Sequence, residues 1–367
     1  MATVEGRRCG GNVGVTLPEQ SFVIAVAAGL VSWAMVVALT SILRRRGVLD
    51  IPNARSSHEA PVPRGGGAGI LAGLAAGLGV AAAFRLPLPG WEVLVGLGLM
   101  AALGWVDDFR GGLPVAWRLL VQVLAAMIVV QGLGPLQRIP LPPPLDASLG
   151  LLAWPLSLLW IVGVVNVFNF LDGIDGFAGV QGVVAGLGLA VVGWGSWAEP
   201  AGIAVAAACA GFLIHNWRPA RVFMGDVGSL TLGFLFAVMP LAAGRGRAPM
   251  LVFFAALCLW FFLADGAFTI LRRLFRREKI WQAHRSHLYQ RLVIAGWTHA
   301  KVVLWVGVGM IVVAGVGVGA ASCGRSSALW CALALAVVGF VVYWGRVVAV
   351  ERDAARSIGS SLEGRHG

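Results

Sequence analysis

The stretch "NVFNFLDGIDGFAG" (residues 166–179) sets Asn169, Asp172 and Asp175 between two long apolar runs. An ionised carboxylate in the middle of hydrocarbon costs roughly 3 kcal/mol or more, so such residues are rare there and usually functional. Whether these acids lie inside a membrane or at its edge therefore decides how the whole chain is read.

Composition supplies the membrane. The chain has 367 residues, of which 58% are hydrophobic and 12% charged, with a mean hydropathy of +0.83. A soluble domain carries about 25% charged residues. The expected fold class is all-α, a polytopic transmembrane helical bundle. Apolar runs fall at about 22–43, 66–84, 91–106, 114–133, 149–168, 177–197, 201–214, 227–243, 249–271, 302–321 and 327–345. That makes eleven spans, or ten if the short run at 201–214 joins its predecessor across Glu199-Pro200. The spans define a membrane domain over 22–345, preceded by an external segment 1–21 and followed by a disordered cytoplasmic tail 346–367. The first apolar run is too long for a signal-peptide core, so it reads as a retained span.

Alternation of the loops divides the basic residues. Of 28, 21 fall on the side holding the loops near Arg44–Arg64, Arg110–Arg118, Arg218–Arg221, Arg272–Lys301 and the tail. The opposite side holds 7. Excess basic charge marks the cytoplasmic side, so the N-terminus is expected outside and the C-terminus inside. The formal charge of +11 is then topogenic, and no basic stripe with interleaved aromatics points to nucleic acid. The five cysteines show no CxxC or metal-ligand spacing and read as small hydrophobes.

The acids follow the same partition, and the opening stretch falls at the water's edge of one cytoplasmic rim. "VDD" (106–108) ends the third span with Asp107 and Asp108, and adjacent carboxylates suit a hard cation or a proton. A helix C-terminus disfavours anions, so this pair looks costly without a counter-charge. Asn169, Asp172 and Asp175, spaced by three, would share a face on a helical turn. In "FMGDVGS", Asp226 opens the eighth span, either as an N-cap or beside backbone N–H groups aimed at phosphate. "PRGGG" (63–67) offers the Arg64 guanidinium and glycine backbone to a phosphate. The long loop 272–300 offers Trp281, His284, Arg285, His287 and Tyr289 as candidate substrate contacts, with the Trp281 or Tyr289 ring to stack on the sugar. Its basic and aromatic part suits anionic headgroups, and its histidines suit a diphosphate. Asp265, within the ninth run, ranks behind these as a site residue.

Taken together and in order, "PRGGG", "VDD", "NFLDGIDGFAG", "NWRPARVFMGDVGSL" and "HRSHLYQRL" resemble the polyprenyl-phosphate N-acetylhexosamine-1-phosphate transferases, over about residues 20–345. The resemblance implies an integral enzyme of the bacterial inner membrane with its active site in the cytoplasm. It would transfer a sugar 1-phosphate from a UDP-N-acetylhexosamine to undecaprenyl phosphate and release UMP, initiating O-antigen or other surface-polysaccharide synthesis. By the same resemblance, Asp107 and Asp108 match the paired acids associated with the lipid phosphate. Asp226 matches the Mg²⁺ ligand, with Asp107 as a second ligand and Mn²⁺ as a substitute metal. Asn169, Asp172 and Asp175 match the nucleotide-sugar motif, and His284 and His287 stand at the histidine motif. The family's motif commonly ends in adjacent histidines, whereas Leu288 and Tyr289 follow His287 here. That form is similar to the branch acting on N-acetylglucosamine or deoxygenated N-acetylhexosamines, and unlike the peptidoglycan translocase. Membrane lipids are expected partners and a homodimer is compatible with the reading. The rival is a transporter or ion channel with a carboxylate site at the cytoplasmic rim, although such sites usually lie near the bilayer midplane.

Overall fold

Each of the eleven apolar runs is helical in the computed structural model, which describes residues 17–52, 60–243, 248–279 and 284–363. The first eight helices are α1 (Pro18–Arg45), α2 (Gly67–Ala83), α3 (Trp91–Arg110), α4 (Val115–Leu133), α5 (Ala153–Phe170), α6 (Phe177–Val192), α7 (Ala198–Asn216) and α8 (Gly225–Val238). Then come α9 (Ala248–Cys258), α10 (Trp260–Phe275), the short α11 (Leu288–Ile294), α12 (His299–Cys323) and α13 (Ser326–Glu363). Backbone polar groups in lipid must be satisfied within the segment, which helices achieve. Six described helices are long and apolar enough to span alone, or seven if α9 and α10 are one broken span.

Outward faces are apolar too, with Leu30, Trp117, Leu159, Leu304, Val308 and Val338 exposed. A water-facing surface would not carry such a coat; a lipid-facing one does. At the centre stands α8, all of whose residues are buried, as expected of a helix apolar all round. It packs against α3 and α5, while α1 packs on α2 and α7. Two of its contacts need glycine. A Cβ on Gly67 would run into Gly228, and one on Gly104 into the backbone of Asp226 and Val227. Close backbone approach through small residues is how membrane helices gain contact. Because Gly104 lies one turn before "DD", the contact sets Asp107 and Asp108 beside the start of α8.

Three features depart from the sequence expectations. The ninth run is bent by 81° between α9 and α10, and the carbonyl of Cys258 at the break accepts the Gln181 side-chain N–H at 2.8 Å. The segment expected to be a disordered tail continues α13 as helix through Glu363. Packing holds it, since Val347 is fully buried and Glu351 pairs with Arg291 at 2.6 Å. A minimal hairpin, β1 (Leu49–Asp50) with β2 (Val62–Pro63), joins the helices.

Candidate active site

The hairpin delivers Arg64. Beyond β2 the chain runs beside the segment leading into α8: Gly65 and Gly66 N–H donate to the Phe223 carbonyl, and Gly67 N–H to that of Met224. The glycine backbone expected to cradle a phosphate is thus consumed by the protein itself. Arg64 then reaches two acids, with Nε 2.7 Å from Asp108 Oδ1 and a terminal nitrogen 2.8 Å from Asp226 Oδ1. Burial works against its charge, but Asp226 and Asp108 outweigh that and raise its pKa above the ordinary arginine value.

Asp108 is the most constrained acid. Its Oδ1 also accepts the Asp226 N–H at 2.9 Å, and its Oδ2 accepts the Val227 N–H at 3.1 Å. The amides at the start of α8, open in the sequence to an Asp226 cap or to a phosphate, are instead occupied by a carboxylate from α3. Such a group stabilises the positive end of the helix. Asp107 is less committed. It accepts the Leu113 N–H at 2.6 Å, has a loose ion pair of 3.7 Å with Arg118 and shares a side-chain hydrogen bond with Asp226.

Arg118, on the first turn of α4, is a site residue that the motifs did not reveal. Its guanidinium lies 3.5 Å from Asp226 Oδ2 and donates to Asn169 Oδ1 at 3.1 Å. The signal available was local: a cation in a helix's first turn is unfavourable and calls for a nearby anion. The Asn169 amide is oriented on both sides, since its Nδ2 donates to Asp226 Oδ1 at 3.1 Å and to Ser229 Oγ at 2.8 Å.

The expected shared face of Asn169, Asp172 and Asp175 is not present, because α5 ends at Phe170 and the next residues turn. Asn169 and Asp172 go with the cluster and Asp175 goes elsewhere. Burial, then the nearby Asp226, push the Asp172 carboxyl well above the usual range. Asp175 accepts the Ala220 N–H at 3.2 Å and meets His299 Nδ1 at 3.4 Å. Burial pushes its pKa up, but His299, that amide and Arg218 outweigh it and hold it below the ordinary value. Asp175 thus joins the 171–176 turn to the start of α12 and to the Arg218–Ala220 loop.

The histidine segment is partly built into the core. His287 is buried, with Nδ1 3.2 Å from Asp265 Oδ1. Tyr289, expected to stack on a sugar, is fully buried and donates its hydroxyl to the Phe170 carbonyl at 3.1 Å. His284 is half-buried. Burial and the adjacent His287 lower its pKa to about 4, so it is neutral at pH 7. Arg285 is likewise half-buried, and Trp281 lies outside the described residues.

What can this arrangement hold? Among the described residues no group of three His, Cys, Asp or Glu forms a ready-made metal cage. Mg²⁺ does not require one, since it commonly takes one or two carboxylates and completes its shell with water and substrate phosphates. The donor set fits that description. Asp107, Asp108, Asp172 and Asp226 supply four carboxyls against the two guanidiniums of Arg64 and Arg118. Asp172, crowded by like charge, has no described hydrogen bond to stabilise its anion. The Arg64 and Arg118 side chains remain 32% and 22% exposed, so both can also reach an anionic ligand.

Comparisons with known proteins bear on this geometry. Residues 91–244 match the model of the family described as "Glycosyl transferase family 4", a span holding every acid of the cluster. A probable undecaprenyl-phosphate N-acetylglucosaminyl 1-phosphate transferase of Bacillus subtilis is 29% identical over 78% of this chain and 82% of its own length. A decaprenyl-phosphate N-acetylglucosaminephosphotransferase of Mycolicibacterium smegmatis is 29% identical over 80% of this chain and 81% of its own. A phospho-N-acetylmuramoyl-pentapeptide-transferase of Synechococcus is 30% identical over 62% of this chain and 69% of its own.

Proposed function

The chain belongs to glycosyl transferase family 4, the polyprenyl-phosphate hexosamine-1-phosphate transferases, and from that premise we propose a specific reaction. The enzyme transfers an N-acetylhexosamine 1-phosphate, deoxygenated or not, from its UDP-sugar to undecaprenyl phosphate. The reaction takes place at the cytoplasmic face of a bacterial inner membrane and begins O-antigen or another surface polysaccharide. The observation that carries this is the convergence of four carboxyls and two arginines, from five separate parts of the chain, at one end of a lipid-facing bundle. The transporter or channel alternative is not favoured, because the matching relatives are transferases.

Bond energies explain why such a site suffices. An oxygen of the lipid phosphate attacks the sugar-bearing phosphorus of the UDP-sugar. The bond from that phosphorus to the bridging oxygen breaks, and UMP leaves with the electron pair. One diphosphate replaces another, so the protein's task is to position groups and offset charge. Phosphate monoesters have a second pKa near 6, so the attacking group is largely a dianion at neutral pH. Asp107, the less constrained of the paired acids, is placed to take a residual proton. Asp108, held by Arg64 and two amides, supports α8, which favours direct attack over a covalent aspartyl intermediate. Arg118 and Arg64 bind the diphosphate oxygens, and Asn169 keeps Asp226 aligned. Asp226, with Asp107 and Asp172, would hold Mg²⁺, or Mn²⁺ in its place. When bound, that ion offsets charge on the diphosphate and the departing UMP.

The test is UMP release from a panel of UDP-sugars by purified protein with undecaprenyl phosphate and Mg²⁺. Asp226→Asn keeps the size of the side chain and is expected to lose about 10³-fold in kcat, the scale of a central electrostatic stabiliser. Near-wild-type turnover by this variant in limiting Mg²⁺ would reduce Asp226 to a structural role.

A further inference from the structure

Asp265 lies on α10, outside the acid cluster, yet no carboxylate of the chain is held by more described hydrogen bonds. It is completely buried. Its Oδ1 accepts from Thr269 Oγ1 at 3.1 Å, His287 Nδ1 at 3.2 Å and Leu288 N–H at 2.9 Å. Its Oδ2 accepts from Tyr289 N–H at 3.2 Å and the Tyr343 hydroxyl at 3.1 Å. Burying a carboxylate is costly unless its lone pairs are satisfied, and a well-packed apolar residue often serves stability as well or better. Packing alone is thus a weak reason for an acid at this point.

The donors indicate what the acid does. Backbone amides can only donate, and an ionised Asp265 accepting from both of them pairs with the His287 tautomer that carries its proton on Nδ1. A second partner of a functional histidine fixes both tautomer and ring plane in this way. The fixed ring then meets His284, with centroids 4.9 Å apart. In His284 the Nδ1 accepts from Ser286 N–H at 3.4 Å and lies 2.9 Å from Ser286 Oγ, which leaves its proton on Nε2. The segment borders the cluster, because the Tyr289 hydroxyl sits on the Phe170 carbonyl, next to Asn169. Tyr343 brings α13 into the same network.

We propose that Asp265 is a positioning residue for the transfer reaction: it fixes the tautomer and plane of His287, whose ring orients His284 to present Nε2–H to the substrate diphosphate. This rests on the transferase reading above. Removing the outer partner of a functional histidine typically costs about 10–100-fold in activity. Asp265→Ala is expected to lower kcat/KM for UDP-N-acetylglucosamine by that factor.

Two readouts distinguish positioning from simple scaffolding. The first is a double-mutant cycle. Added to His287→Ala, the Asp265→Ala change should cost less than about threefold more, whereas losses that multiply in full overturn the proposal. The second is nitrogen-15 resonance of the histidine rings in the full-length protein, with the His287 signal identified by its loss in His287→Ala. The wild type should show His287 protonated on Nδ1, and Asp265→Ala should abolish that preference. An unchanged tautomer overturns the proposal. Should Asp265→Ala fail to fold, Tyr343→Phe decides, since it removes one hydrogen bond from Oδ2 and leaves the other four. Its expected loss, about 2–10-fold on the scale of one hydrogen bond, must vanish on the His287→Ala background, and persistence there counts against the proposal. If the wild type releases no UMP, the transferase reading fails, while the ring signal still tests Asp265.

Discussion

Two adjacent aspartates, Asp107 and Asp108, are held by different partners. Asp108 accepts from Arg64 and from the first amides of α8, whereas Asp107 has one amide, a loose arginine and a hydrogen bond shared with the Asp226 carboxyl. Asp107→Asn should therefore lower kcat by at least about 10²-fold, the scale of general-base catalysis, with a smaller loss of stability than the neighbouring change. Asp108→Asn should instead cost about 1–3 kcal/mol of stability, the penalty for disturbing buried hydrogen bonds, read as a lower midpoint of denaturation in detergent. Equal effects of both changes on kcat and on stability would refute this division. Only the pair itself was legible in the sequence. Which acid caps a helix depends on α8, which lies more than a hundred residues away. Arg118 was hidden for the same reason: in sequence it is one basic residue at a helix end, and only folding gives it Asp107, Asp226 and Asn169.

At the scale of helices, periodicity and apolar length were enough to locate all eleven runs, because the bilayer demands long self-satisfied segments. They were not enough to place the 81° bend before Trp260, which involves neither proline nor glycine at the break and relies on Gln181 from α6. Nor did the run "GGG" declare its purpose. Its value is steric, because α2 meets α8 through Gly67 and Gly228. Gly67→Ala should overpack that contact and cost about 1–3 kcal/mol. Activity per folded molecule should fall as well, since Arg64 leads directly into this helix. Thermal denaturation together with UMP release checks the pair of effects, and an unaltered midpoint would show that α2 and α8 can part without cost.

Across the whole molecule, α12 runs from the acid cluster's end to the opposite one, so its two ends report on orientation. Cys323 is exposed at the far end, and Lys279 is exposed near the histidine segment. With the cluster in the cytoplasm, native Cys323 should react with a membrane-impermeant thiol reagent in intact cells. A Lys279→Cys substitution on a background otherwise lacking cysteine should react only after permeabilisation, and the reverse pattern would invert the bundle. The long reach of the Arg64–Asp226 contact, 162 residues apart in sequence, has a further consequence for how the enzyme is made. During synthesis Arg64 and Asp108 reach the membrane well before Asp226 exists, and contacts between distant residues form late. The nascent chain must therefore carry an incomplete, charged seam while five more helices are inserted, and the bundle closes only once α8 arrives. A ribosome-bound chain stopped before residue 225 should accordingly remain sensitive to protease at the loops on the cluster's side, and one stopped after α8 has emerged should become resistant.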